Sequence, residues 1–296
     1  MIKWTATRAP AGRVAYVNGR YIPHGHAGVH IEDRSLQLGD GIYEVTAIVD
    51  GRSIDEEPHL DRMERSLREI GMAMPMGRAA MKLVMREMIQ RNRVKNGLLY
   101  IQVSRGTARR DHPIPDQPLR PTLIMTARSQ DPELSEKKRT QGVGVITRPD
   151  QRWARRDIKT VQLLPNLLAK TEARKNGAYE AWLVDGEGFV TEGASTNAWI
   201  VDKDGHIVTR QLSNDILPGV TRRVIMEAAA EAQLAIVERK FSVAEARTAR
   251  EAFISSASGA AIPVVAIDGV PVGDGKPGPL AKRIRELYAH KAGIPG

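Results

Sequence analysis

The sequence predicts an α+β protein of two lobes. Turn dipeptides such as Asn18-Gly19 and Asp50-Gly51 sit between short apolar runs and mark antiparallel hairpins. Amphipathic stretches stand apart from these hairpins instead of alternating regularly with strands. At 296 residues the chain is also long enough to bury more than one core.

The elements follow in order. "RVAYVNGRYIPHGHAGVHIEDR" reads as a first hairpin, and "DGIYEVTAIVDGRSI" as a second with a strand over residues 42–49. A helix is expected over about 58–70, because Leu60, Met63, Leu67 and Ile70 recur at steps of three and four before Gly71. A second helix, about 77–95, places Met81, Val84, Met85, Met88 and Ile89 on one face. "GLLYIQVSRG" and "PTLIMTAR" read as buried strands. "SQDPELSEKKRTQG" is polar and without apolar periodicity, so 131–142 is expected to link a domain of residues 1–130 to one of residues 143–296. Beyond it, "VGVITRP", "EAWLVDG", "NAWIVDKDGHIVTRQ" and "EAFISSASGAAIPVVAIDGVPV" read as strands with tight turns. "GVTRRVIMEAAAEAQL" and "PLAKRIRELYAHKAG" read as helices.

Composition removes several classes of function. The chain has no cysteine, which excludes disulfides, thiolate metal sites and cysteine nucleophiles. Its net charge of +9 is scattered and interleaved with acids, as in "EEPHLDRMERSLREIG", so anionic small substrates fit it better than nucleic acid. His24, His26, His30 and His206 have no metal-ligand spacing, and no metal is expected. The N-terminal segment lacks the apolar core of a signal peptide, and no window approaches the roughly 18 apolar residues of a membrane span. A cytoplasmic protein is expected.

Five stretches could carry chemistry. In "RRDIKTVQLLPN", Lys159 lies two residues after Asp157, and in a strand the two would share a face. Held inside a lobe, such an amine would lose solvation and become a nucleophile; on spacing alone, a surface lysine at a strand end is the simpler reading. In "FVTEGASTNAWIV", Glu192 ends an apolar strand, where a carboxylate can hold a protonated ring nitrogen or sit solvated in a turn. "ILPGVTRR" would present the Val220 and Thr221 amides at a helix N-terminus, and "ISSASGAAIP" gathers hydroxyls in a strand-end loop. Both are candidate phosphate cradles, though as isolated features such stretches are more often simple turns. In "VSRGTARRDHPIP", Arg110 and His112 suit a carboxylate clamp or a basic surface loop.

Taken in order, "DRSLQLGDGIYEV", "HLDRM", "RGT…RRDH", "DIKT…LLPNLLAKTEA", "YEAWLVDGEGFVTEGASTN", "LPGVTR" and "ISSASG…IPV" resemble the class IV aminotransferases, the fold-type-IV enzymes that use pyridoxal 5′-phosphate. The resemblance runs from about Tyr16 to about Tyr288. It implies a smaller N-terminal lobe and a larger C-terminal lobe with a barrel-like sheet and the cofactor lysine. It implies Lys159 as the Schiff-base lysine and proton carrier, and Glu192 as the partner of the ring nitrogen. Arg62, Val220, Thr221, Ser256 and Ala257 would hold the phosphate, and Leu217 would lie against the ring. Within the class, Tyr43 with the Arg110-x-His112 pair resembles the D-amino acid aminotransferases, in which the arginine and histidine act across a homodimer. The expected activity is ping-pong transfer of an amino group from a D-amino acid such as D-alanine to a 2-oxo acid such as 2-oxoglutarate. A branched-chain L-amino acid aminotransferase, an R-selective amine transaminase and an aminodeoxychorismate lyase share the cofactor residues and remain alternatives. Two departures stand out: Ala257 replaces an expected hydroxyl residue, and Arg109 competes with Arg110 for the clamp.

Overall fold

The computed structural model describes residues 12–294. Residues 295–296 lie outside it, as does 1–11 with most of the segment read for a signal peptide. The chain divides into two compact units. The first comprises residues up to Gln130 together with Lys159–Val161; the second holds Asp131–Ile158 and the chain from Gln162 on.

The first unit is built on a six-stranded sheet of β1 (Val14–Val17), β2 (Arg20–Pro23), β3 (Gly41–Val49), β4 (Arg52–Ser53), β5 (Gly97–Ser104) and β6 (Thr122–Ser129). Its order is β2-β1-β6-β5-β3-β4, antiparallel throughout. Both expected hairpins form. Asn18 and Gly19 take φ of 48° and 91°, Asp50 and Gly51 47° and 74°, as two-residue turns matched to strand twist require. Helix α1 (Arg34–Leu38) starts where the Asp33 carboxylate accepts the Ser35 amide. Helices α2 (Glu56–Glu69) and α3 (Arg78–Arg91) follow their apolar spacing: Leu60, Met63 and Leu67, then Met81, Met85 and Met88, are all but fully buried.

Residues 131–142 differ from expectation. They form helix α4 (Pro132–Gln141), whose Asp131 side chain accepts the Glu133 and Leu134 amides while Pro132 opens the first turn. None of its residues is buried, so the segment has no apolar period to read, only the cap.

The second unit carries a curled nine-stranded sheet: β7 (Val143–Pro149), β8 (Glu180–Val184), β9 (Val190–Gly193), β10 (Asn197–Val201), β11 (Ile207–Thr209), β12 (Ile236–Glu238), β13 (Glu251–Ser256), β14 (Gly259–Ile267) and β15 (Val270–Pro271). The strands are not all hairpin-joined. β7 runs parallel to both β14 and β8, because helix α5 (Leu164–Lys175) carries the chain from β7 to β8. α6 (Val220–Glu231) and α8 (Pro279–Lys291) pack together over a core of Trp199, Phe253 and Ile284, while the short α7 (Val243–Arg247) seats Ala246 in a second core with Trp182 and Phe241. α5 turns Ala169 and Ala173 inward and leaves Leu164, Leu167 and Leu168 exposed. Among the described residues no helix is long and apolar enough to cross a membrane.

Candidate active site

In the first unit the site begins on β3. The expected strand through Asp157 and Lys159 does not form. Arg155 grips the Asp157 carboxylate with two bonds, 2.9 and 3.0 Å, inside a turn closed by the Ile158 amide on the Arg155 carbonyl. The chain then lies along β3: the Tyr43 amide donates to the Lys159 carbonyl (2.9 Å), Thr160 bridges to Ile42, and the Val161 amide donates to Gly41. That pairing places Lys159 with the first unit, although sequence order assigns it to the C-terminal domain. Its Nζ stands 4.2 Å from the centre of the Tyr43 ring, a cation–π contact. Tyr43 in turn stacks on Tyr100 (5.7 Å). Burial, helped by the neighbouring Tyr43, pushes the Tyr100 hydroxyl up to about 12.

Strand alternation sends Glu44 to the opposite face from Tyr43. There it meets Arg62, the expected phosphate ligand. The guanidinium is bidentate, with Nε and Nη2 each 2.7 Å from a Glu44 oxygen, and His59, one helical turn earlier on α2, adds a 2.8 Å bond through Nδ1. Side-chain exposure is 1% for Glu44 and 9% for Arg62, so the pair is buried and fixed in direction. Glu44 and His59 have no sequence signal beyond their spacing to Arg62.

The loop with Arg109, Arg110 and His112 leaves all three side chains exposed while its backbone is anchored. The anchor is Arg34, buried on α1, which donates to the Asp111 carbonyl (3.0 Å), the His112 carbonyl (3.4 Å) and the Asp40 carboxylate (2.7 Å). Arg105 donates to the same Asp40 oxygen at 2.8 Å. Arg34 carries no signal in the sequence, because a lone arginine before an apolar helix turn looks like surface.

In the second unit three of the motifs come together. β10 pairs with β13 so that Asn197 lies opposite Ser255, bringing "TEGASTN" beside "ISSASG". The turn before α6 closes on the same point: a Cβ at Gly219 would fall 2.0 Å from Asn197 Oδ1 and displace that side chain. Glu192, 4% exposed, accepts from the Asn197 amide (3.0 Å), the Leu217 backbone N–H (3.1 Å) and the Arg152 guanidinium (2.5 Å). Leu217 thus meets Glu192 through its backbone. Burial pushes the Glu192 carboxyl above its ordinary value, with Arg152 pulling the other way. Val220 and Thr221 are buried in the first turn of α6, which no side chain caps. Such an end offers free N–H groups and a positive dipole to an anion. Ser256 and Ser258 hydroxyls lie 3.0 Å apart, on either side of Ala257. His206 pairs with Asp202 at 3.2 Å and, with Asp204, lies in a solvent-facing turn.

A profile of the class IV amino-transferases matches residues 41–267. The chain belongs to the class IV aminotransferases. It is similar to a D-alanine aminotransferase of Staphylococcus epidermidis, 39% identical over 273 residues that cover 92% of this chain and 95% of that one. A D-alanine aminotransferase of Listeria monocytogenes is 37% identical, with 93% and 94% covered. Among solved structures, a branched-chain amino acid aminotransferase of Escherichia coli superposes with a TM-score of 0.86 at 23% identity over 96% of each chain. A hypothetical aminotransferase from Mycobacterium tuberculosis, in its PLP-bound form, gives 0.81 at 21% identity, covering 94% of this chain and 98% of that one. These structures establish the fold.

Proposed function

We propose that this chain is a pyridoxal-phosphate-dependent D-amino acid aminotransferase that works as a cytoplasmic homodimer. The observation that carries the reading is the identity of 36–39% to D-alanine aminotransferases over more than nine-tenths of both chains. The side chains fit the cofactor. Lys159 offers a primary amine on an aromatic face, Glu192 a buried carboxylate fixed by three donors, and α6 an N-terminus without a side-chain cap. The cofactor supplies an aldehyde that condenses with amines and a ring that draws electrons from the substrate's α-carbon.

Lys159 Nζ would bind it covalently and, when released, take the substrate's α-proton and return it later in the transfer. Glu192 would accept the ring nitrogen's proton bond. Val220 and Thr221, with Ser256, Ala257 and Arg62, would hold the phosphate, and Leu217 would lie against the ring. Tyr43, Arg110 and His112 would bind the substrate carboxylate, the last two across the dimer. Their exposure on a backbone pinned by Arg34 supports that use, and the bare leucines of α5 support a covered face.

A half-reaction panel tests the proposal. D-alanine and D-glutamate are expected to bleach the protein-bound cofactor band, and L-leucine and (R)-phenylethylamine to leave it. Bleaching by L-leucine without D-alanine would install the branched-chain reading instead. Arg110→Ala should weaken D-alanine roughly thirtyfold, since a hydrogen bond to a charged group contributes about 2 kcal/mol. An amine without a carboxylate should be unaffected, and equal losses would remove Arg110 from the clamp.

A further inference from the structure

The arginines that precede Lys159 have no part in the reading above, yet two of them are placed with care. Arg152 Nη1 meets Glu192 at 2.5 Å. Its Nε and Nη2 take both oxygens of Asp150, at 2.9 and 2.8 Å, and the Thr191 hydroxyl donates to the same carboxylate. The Asp150 side chain is fully buried and lies 3.4 Å from Arg156. Arg156 then bonds Asp215 (3.0 Å), Asp215 bonds Arg210 (2.9 Å), and Arg210 ends on Asp185 (2.7 Å). Charges alternate along the whole row. Four carboxylates face three guanidiniums, so the row carries one net negative charge, and Glu192 is its inner end.

An isolated carboxylate buried at that point would take up a proton and lose its ability to hold a cation. A guanidinium bonded to it opposes that uptake, and a guanidinium already neutralised by Asp150 does so without consuming the carboxylate's charge. A carboxylate has about four lone-pair directions, and Glu192 has three donors on it, the Leu217 N–H being shared between its two oxygens, which leaves room for one more. A protonated pyridine nitrogen is the cation that would bring the row to neutrality.

Resting on the assignment of Glu192 to the ring nitrogen, we propose that Arg152 is a positioning residue, which with Asp150 holds Glu192 as a fixed anion aimed at that nitrogen. Arg152 touches neither cofactor nor substrate in this role. It acts through Glu192.

The test compares two ligands by fluorescence titration of the full-length protein stripped of cofactor: pyridoxal 5′-phosphate and its 1-deaza analogue, in which the ring nitrogen is a C–H. Arg152→Met is expected to weaken pyridoxal 5′-phosphate about ten- to a hundredfold, the range for losing a charge-assisted bond, and the analogue less than about threefold. Arg152→Lys, which keeps the charge, should recover part of the loss. The double variant Asp150→Asn/Arg152→Gln leaves neither member of the pair charged and unpartnered, and it should show the same ligand-selective loss even where Arg152→Met does not fold. Equal losses for both ligands, or no loss for either, overturn the proposal. Should the unmutated protein bind the two ligands equally, the Glu192 assignment falls first and this proposal with it.

Discussion

Replacing Lys159 by alanine is expected to abolish transamination while leaving the fold in place. The residue's structural bonds are made by its backbone, through the carbonyl that accepts the Tyr43 amide, and these survive truncation of the side chain. Truncation removes the amine from the Tyr43 ring, 4.2 Å away, an interaction worth about 1 kcal/mol. In a chain of this size that lowers the melting temperature by only a few degrees. Chemistry suffers far more. One side chain is asked to be both covalent anchor and proton carrier, and removing a proton-transfer group alone costs as much as about ten-thousand-fold. Absorbance after cofactor addition should show no band near the visible–ultraviolet boundary, and turnover should fall by at least that factor. A variant that still turns over D-alanine, or still develops the band, would move the anchor elsewhere.

The second large effect concerns stability. Glu44→Ala is expected to lower the free energy of unfolding by about 3–5 kcal/mol, read from urea denaturation, because it leaves the buried Arg62 and His59 without their common partner. A loss under about 1 kcal/mol would mean that water enters to solvate Arg62. Proton linkage gives the cluster a pH signature. Burial raises the Glu44 carboxyl, but the Arg62 charge and the bonds from Arg62 and His59 override it and hold the group well below its ordinary 4.5. Burial, despite Glu44, holds His59 below its ordinary 6.5. Both folded pKa values are depressed, so the unfolded chain binds the extra protons. The His59 contribution is complete above about pH 6.5 and fades as pH falls below it, and that of Glu44 begins to fade below about pH 4.5. Wild-type protein should therefore lose stability between pH 7.5 and 5.5, and His59→Asn should lose less over that window. Parallel slopes would remove His59 from the account.

What can be read in the residues differs from site to site for identifiable reasons. The methionine face of α3 and the paired turns of the first sheet are legible because a 3.6-residue period and two consecutive positive φ values each demand particular residue types. Helix α4 is hidden in the sequence because it buries nothing. The stretch around Lys159 reads as a strand because Ile158 alternates with polar neighbours, yet the Arg155–Asp157 pair bends it into a turn. Local pairing overrides the period. Glu192 and the Pro218-Gly219 turn are readable as motifs, but their neighbourhood follows from the register of β10 on β13, which joins residues nearly sixty positions apart.

By itself the sequence determined the family and the order of most elements, and it singled out Lys159 and Glu192 as candidates, because these depend on local spacing and on an ordered set of motifs. Tertiary structure alone decided which charges are buried together. Glu44 with Arg62, Arg34 under the 109–112 loop, and the Arg152–Glu192, Arg156–Asp215 and Arg210–Asp185 contacts of the row join distant segments, and nothing in an arginine's own neighbourhood distinguishes one that faces water from one that meets such a carboxylate after folding. The energy of such a charge is set by desolvation and by its partner, and both exist only once the chain has folded.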